Sequence, residues 1–250
     1  MLPEEQELKR LENEQSALEE QVATAELALE TLKTETDRFR HRYYQAVGRL
    51  YVQLDEIESQ IAQARMWQAP DDPAVQAQAH SAQEQAKRSA EEAGLIEARP
   101  PPPPEISPEL KQIYRQATRL MHPDRATSEF ERLRRTELMA KVNGAYERGD
   151  YKAIQRLITE FGEDPEAIAG EDVASRIVKA IRRVAQLRRR LGEVQRDLRI
   201  SQNTEIAQLK KTIETAEAMG GDPLGELVQQ LIRTISERKI QLEIARQALA

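Results

Sequence analysis

Near the middle of this 250-residue chain, His122-Pro123-Asp124 sets an imidazole and a carboxylate on either side of a ring that restricts the backbone. Lys111, Arg115 and Arg119 precede the tripeptide at four-residue steps, and Arg125 follows it. Residues four apart share a helix face, so the cations ahead of the tripeptide form a stripe suited to an acidic surface. The chemistry this points to is recognition. Nothing suggests bond-making: the 3 histidines lie far apart at positions 41, 80 and 122, cysteine is absent, and no phosphate-cradling Gly loop or nucleophile motif is present. No enzymatic activity, cofactor or metal is expected, and a paired-cysteine zinc module is excluded.

Three short helices must position these residues. Pro108-Glu109-Leu110 opens the first, since proline's missing N–H costs nothing in the first turn. Leu110, Ile113, Ala117 and Leu120 give it an apolar face. Pro123 stops it, which predicts a tight loop with His122 and Asp124 pointing outward. Ser128 and Glu131 form an S-x-x-E capping box at the start of the second helix, which runs through Phe130, Leu133, Met139, Val142, Ala145 and Tyr146. Gly149 ends it, and Asp150 caps a third helix from Tyr151 to Phe161, with Ile154, Leu157, Ile158 and Phe161 facing inward. Tyr114, Tyr146 and Phe161 read as core residues.

The run Leu110-Lys-Gln-Ile-Tyr-Arg-Gln-Ala-Thr-Arg-Leu-Met-His-Pro-Asp-Arg125, followed by Met139-Ala-Lys-Val-Asn-Gly-Ala-Tyr146, resembles helix II, the loop and helix III of the J-domain (DnaJ-like) co-chaperones. The resemblance covers about residues 108 to 160, roughly a fifth of the chain. It implies that His122, Pro123 and Asp124 dock on a DnaK-type chaperone near the interdomain linker of its ATPase domain. Lys111, Arg115, Arg119 and Arg125 would be the electrostatic footprint, and ATP hydrolysis in the partner would be accelerated. The chain departs from the family in three places. The usual first helix is missing, Pro100 to Pro104 stand where it should lead into helix II, and no Gly/Phe-rich segment follows. The helix from Asp150 to Phe161 is expected to fill the surface left by the missing one.

On either side the chain reads as long helices. With 32% charged, 39% hydrophobic and 4% aromatic residues it is poorly supplied for one large core and well supplied for coiled coils. Leu8, Leu11, Leu18, Val22, Ala25, Leu29, Leu32, Phe39, Tyr43, Ala46 and Leu50 make a heptad seam, which a four-residue stutter carries on to Leu54, Ile57, Ile61 and Ala64. After Asp72-Pro73 a small-residue seam of Val75, Ala79, Ala82, Ala86 and Ala90 predicts a returning arm. A further seam starts at Val173, slips, resumes at Ile206 and restarts after Gly220-Gly221-Asp222-Pro223 with Leu227, Leu231, Ile235 and Leu242.

The predicted fold is all-α: a small J-like helical domain (108–162) between two long coiled-coil helical hairpins (1–94 and 172–250), joined by a proline-rich linker (95–107) and a second linker (163–171). Residues 4 to 30 hold nine Glu, whereas residues 176 to 199 hold nine Lys or Arg. Pairing these two segments would set opposite charges across flanking positions, with orientation left open. No apolar run is long enough for a membrane span and the start lacks signal-peptide features, so a cytoplasmic protein is expected. A net charge of −6 argues against bulk nucleic-acid binding. The leading expectation is a co-chaperone that recruits and stimulates a DnaK-type chaperone, its coiled coils selecting an unknown client or location and leaving a homo-oligomer open. The alternatives are a coiled-coil scaffold or adaptor with a degenerate J-like domain, and a nucleic-acid-associated protein using its basic C-terminal helix.

Overall fold

The computed structural model describes residues 3–98, 105–126, 128–162 and 173–248. The run Pro100 to Pro104 and the linker expected at 163–171 lie outside them. Among the described residues the fold is all-α, without strands, and no helix is long and apolar enough to cross a membrane.

Local chemistry sets the helix boundaries. The helices are α1 (Pro3–Tyr43), α2 (Arg49–Gln68), α3 (Pro73–Glu97), α4 (Pro108–Met121), α5 (Glu129–Glu147), α6 (Tyr151–Gly162), α7 (Val173–Gln202), α8 (Glu205–Ala218) and α9 (Pro223–Gln247). Helices α3, α4 and α9 each begin with proline behind a capping side chain: Asp72 accepts from the Ala74 N–H, Ser107 from Leu110 and Asp222 from Gly225. Each cap satisfies a donor that the first turn leaves free. Gly149, at φ 71°, supplies the left-handed residue that lets α5 stop before Asp150 caps α6 through the Ala153 N–H.

The chain divides into two compact units that cut across the expected domain boundaries. The first unit joins residues 1–35 to 102–207, and the second joins 36–101 to 208–250. The flanking regions are therefore not self-contained hairpins, because each leaves an apolar seam that a segment of the other covers.

In the first unit, α4, α5 and α6 pack around Leu110, Ile113, Tyr114, Ala117, Met121, Met139, Val142, Ala145, Tyr146 and Ile154. The Tyr114 and Tyr146 rings lie 4.6 Å apart at a tilt of 54°, and Leu27 of α1 completes this core. Helix α6 packs against both α4 and α5, as its apolar face required. Leu120, expected on the apolar face of α4, is exposed instead, and so are Phe130 and Leu133 of α5. Met121 takes the inward place expected of Leu120, and Phe130 and Leu133 lie in α5 before its buried stretch begins at Met139.

Beside this core α1 pairs with α7. Leu18 and Val22 pack on Val184, Leu187 and Leu191. Arg176 meets Glu12, Arg183 meets Glu19 and Arg190 meets Glu26. Both series advance by one heptad, so the helices are parallel and in register, which settles the orientation that the charge pattern left open.

In the second unit, α3 folds back on α2 as expected. Asp55 accepts from Gln85 and Ser89, and Arg49 meets Glu97, which also carries this arm past the expected end at residue 94. The small residues buried on α3 are Ala79, Ala86 and Ala93, a narrower seam than expected. Helices α8 and α9 do not form a hairpin. Glu217 meets Arg42, Arg238 meets Glu58, and Gln68 donates to the Ala245 carbonyl, so α9 runs parallel to α2 and buries Ile235 and Leu242 against Ile57 and Ile61. Gly220, at φ 86°, ends α8, and Asp222 caps the start of α9 without folding it back on α8.

Between α1 and α2 lies a π-helical turn, Tyr44–Gly48. Its i→i+5 bonding takes up one extra residue, so Tyr44 and Val47 are buried where the heptad pattern pointed to Tyr43 and Ala46. This turn is where the seam shifts, ahead of the stutter expected near Leu54.

Candidate functional site

The site is the α4–α5 loop and the helices laid over it. Pro123–Arg125 form a single 3₁₀ turn, and His122 enters it at φ −59° and ψ 133°, the extended geometry that a following proline imposes. The turn puts the His122 ring back over its own backbone, where Nδ1 accepts the Asp124 N–H at 3.1 Å. That acceptor role assigns the ring proton to Nε2, which donates to Glu26 Oε1 at 2.8 Å.

His122 therefore points inward, contrary to the expectation for the loop. It is 7% exposed and Glu26 is likewise buried. A second donor reaches the same oxygen: Arg190 of α7 donates to Glu26 Oε1 through Nε at 2.9 Å and Nη2 at 2.7 Å. Burial would push the Glu26 carboxyl up, but the His122 hydrogen bond and the Arg190 charge outweigh it and hold the carboxyl below its ordinary value.

The cationic stripe is engaged by the same acidic helix. Arg115 and Arg119 both meet Glu20, Arg125 meets Glu19 at 3.5 Å, and Arg183 shares Glu19 at 3.6 Å. Lys111 has no ion-pair partner among the described residues. Asp124 is half-buried, with Oδ2 3.6 Å from His122 Nδ1. The sequence-predicted site residues are thus one cluster, apart from Lys111 at the far end of the stripe. Glu19, Glu20, Glu26, Arg183 and Arg190 belong with them.

Those five were not singled out as site residues from sequence. The available signal was the complementary charge of residues 4–30 and 176–199, which marks a helix pair without indicating that one acidic face of the pair covers the loop.

The contacts differ in strength. Arg115, Arg119 and Glu20 are each more than a third exposed, so those pairs contribute about 0–1 kcal/mol apiece. Removing one partner from the buried Glu26 contact should cost about 1.5–3 kcal/mol, the range for hydrogen bonds to charged groups. Arg183 is poorly served: burial lowers its pKa, and Glu19 only partly offsets that. A cleft of about 420 Å³ opens beside the loop, lined in part by Glu30, Asp124, Asn143 and Arg190. Among the described residues no group of three His, Asp or Glu side chains could hold a metal ion.

Comparison of the chain with protein-family models, with curated proteins and with solved structures finds no match. The family resemblance rests on the motif residues alone.

Proposed function

We propose that the protein is a J-type co-chaperone, a non-enzymatic cytoplasmic partner that recruits a DnaK-type chaperone and stimulates its ATPase. The observation that carries this reading is the joint placement of His122-Pro123-Asp124 at the turn between two packed helices and of Arg115, Arg119 and Arg125 beside that turn. The same cations meet Glu19 and Glu20 of α1 within the chain, and on this reading an acidic surface of the chaperone takes the place of those glutamates. The paired helices α1–α7 and α2–α9 would select the client or location.

A second reading has its own observation. His122 lies buried against Glu26, as it would if the loop were only a packing joint in a coiled-coil scaffold. A nucleic-acid role for α7 is disfavoured, because Arg176, Arg183, Arg188 and Arg190 already face glutamates of α1.

The test is ATP turnover by a DnaK-type chaperone from the same source, with and without the full chain. Stimulation that falls to background in Asp124→Asn, with the thermal melt unchanged, supports the co-chaperone reading. No stimulation by wild-type or by any variant that frees the loop favours the scaffold.

A further inference from the structure

The surface that the proposed function needs is covered by the chain's own acidic helix. Arg115 and Arg119 meet Glu20, Arg125 meets Glu19, and His122 is hydrogen-bonded to Glu26. Each of these side chains would have to turn to an external acidic surface for docking, and a ring 7% exposed with Nε2 on Glu26 offers a partner little surface. Resting on the co-chaperone reading, we infer that α1 and α7 form an autoinhibitory latch: the Glu19–Glu20–Glu26 face of α1 imitates the acidic surface of the chaperone and must leave the loop before the chaperone can bind.

Three features suit an interface that opens. The α1 residues that meet α4, α5 and their loop are mostly polar: Glu19, Glu20 and Glu26 at the loop, Glu30 and Thr31 further along α5, with Val22 beside His122 and Leu27 in the core as the apolar ones. A face so composed tolerates water when released, unlike the apolar contact of a permanent assembly. Next, Leu18 and Val22 hold α1 to Val184 and Leu187 of α7, so the pair can lift together without exposing its own seam. Finally, Arg183 is half-buried near Arg125, shares Glu19 with it and is kept in an environment that disfavours its charge, so release relieves the closed state. The partner's acidic surface and α1 compete for the same arginines, and the trigger is that competition.

The experiment uses the full chain. Glu19→Gln, Glu20→Gln and Glu26→Gln are combined in one variant, and Arg183→Gln with Arg190→Gln in another, which loosens the latch from the α7 side without touching the stripe. Two quantities are read: the rate at which diethyl pyrocarbonate modifies His122, with exposed His80 as internal reference, and stimulation of a DnaK-type ATPase. The latch requires His122 to react at least tenfold more slowly than His80 in wild type, and to approach it in both variants. Stimulation should then rise at least threefold, with Glu7→Gln, whose carboxylate meets Arg10 on the same helix, behaving as wild type. Rapid modification of His122 in wild type, or its continued protection in both variants, overturns the latch whatever the ATPase does. A freed His122 without added stimulation, where wild type does stimulate, overturns its regulatory role. A freed His122 with no stimulation by any form overturns the co-chaperone reading, and the latch as its regulator falls with it.

Discussion

His122 and Asp124, two residues apart, should differ in how much stability a conservative substitution costs. His122→Gln removes the ring from a buried hydrogen bond, while Glu26 keeps Arg190, so the thermal melt should fall by the equivalent of about 1.5–3 kcal/mol. Asp124→Asn leaves the backbone N–H that His122 accepts and should stay within about 0.5 kcal/mol of wild type. A loss of chaperone stimulation in Asp124→Asn is therefore the cleaner functional signal. Glu26 and Glu30, one turn apart on α1, should also diverge. The Glu26 carboxyl is held below its ordinary value, so the stability it contributes is complete above the unfolded carboxylate value of about 4.3 and fades as pH falls through the lower folded value. Glu26→Gln should be less stable than wild type at pH 7, with the gap closing in acid below about pH 4. Glu30 is pushed up, chiefly by burial and further by Glu147, against the opposing Lys33. Its ionised form costs stability above its folded value, so Glu30→Gln should be more stable than wild type at pH 7 and lose that gain as pH drops toward about 4.3. Melting curves of the two variants from pH 7 to pH 3.5 check both signs; shifts in the same direction at pH 7 would contradict the assigned environments.

The π turn at Tyr44–Gly48 lies within the second unit, between the end of α1 and the start of α2. A Cβ at Gly48 would stand 2.0 Å from Tyr44 Cδ2, and the whole ring edge is within 2.8 Å. Alanine normally gains up to about 1 kcal/mol over glycine in a helix. Here the overpacking cost of about 1–3 kcal/mol should exceed that gain, because Tyr44 is buried and its ring has to be displaced. Gly48→Ala should thus lower the melting temperature, and Gly48→Ala with Tyr44→Leu should recover part of the loss. A stabilised single variant would mean that the turn reverts to regular α-helix at no cost. The heptad steps Glu12, Glu19, Glu26 and Arg176, Arg183, Arg190 show how an element depends on its partner: either series alone is only a charged flank, and together they set direction and register.

For the whole molecule, the pairing of N-terminal with C-terminal helices inside each unit predicts that residues 1–98 and 173–250, made as separate chains, associate on mixing. Helicity at low salt should exceed the sum of the separate spectra. Raising salt to about 0.5 M should weaken the gain without abolishing it, since screening removes exposed pairs such as Arg176–Glu12 but not the Leu18, Val22, Val184 and Leu187 contact. Separate elution with no gain would leave each region as a self-associating coil. Much of this arrangement is legible in the sequence. The caps at Asp72, Ser107, Ser128 and Asp222, the proline stop at Pro123, the buried faces of α4 and α6 and the complementary charges of α1 and α7 all follow from rules that act within a turn or two of helix, or from composition. The parallel course of α9 beside α2, the shift of the seam at Tyr44 and the inward turn of His122 do not. His122 is buried because Glu26 lies 96 residues before it and because Arg190, 164 residues from Glu26, shares the same carboxylate. Local sequence determined where the loop is and which residues it carries; whether its imidazole meets solvent or a glutamate was decided by which distant seam found which, a choice made by packing across the chain.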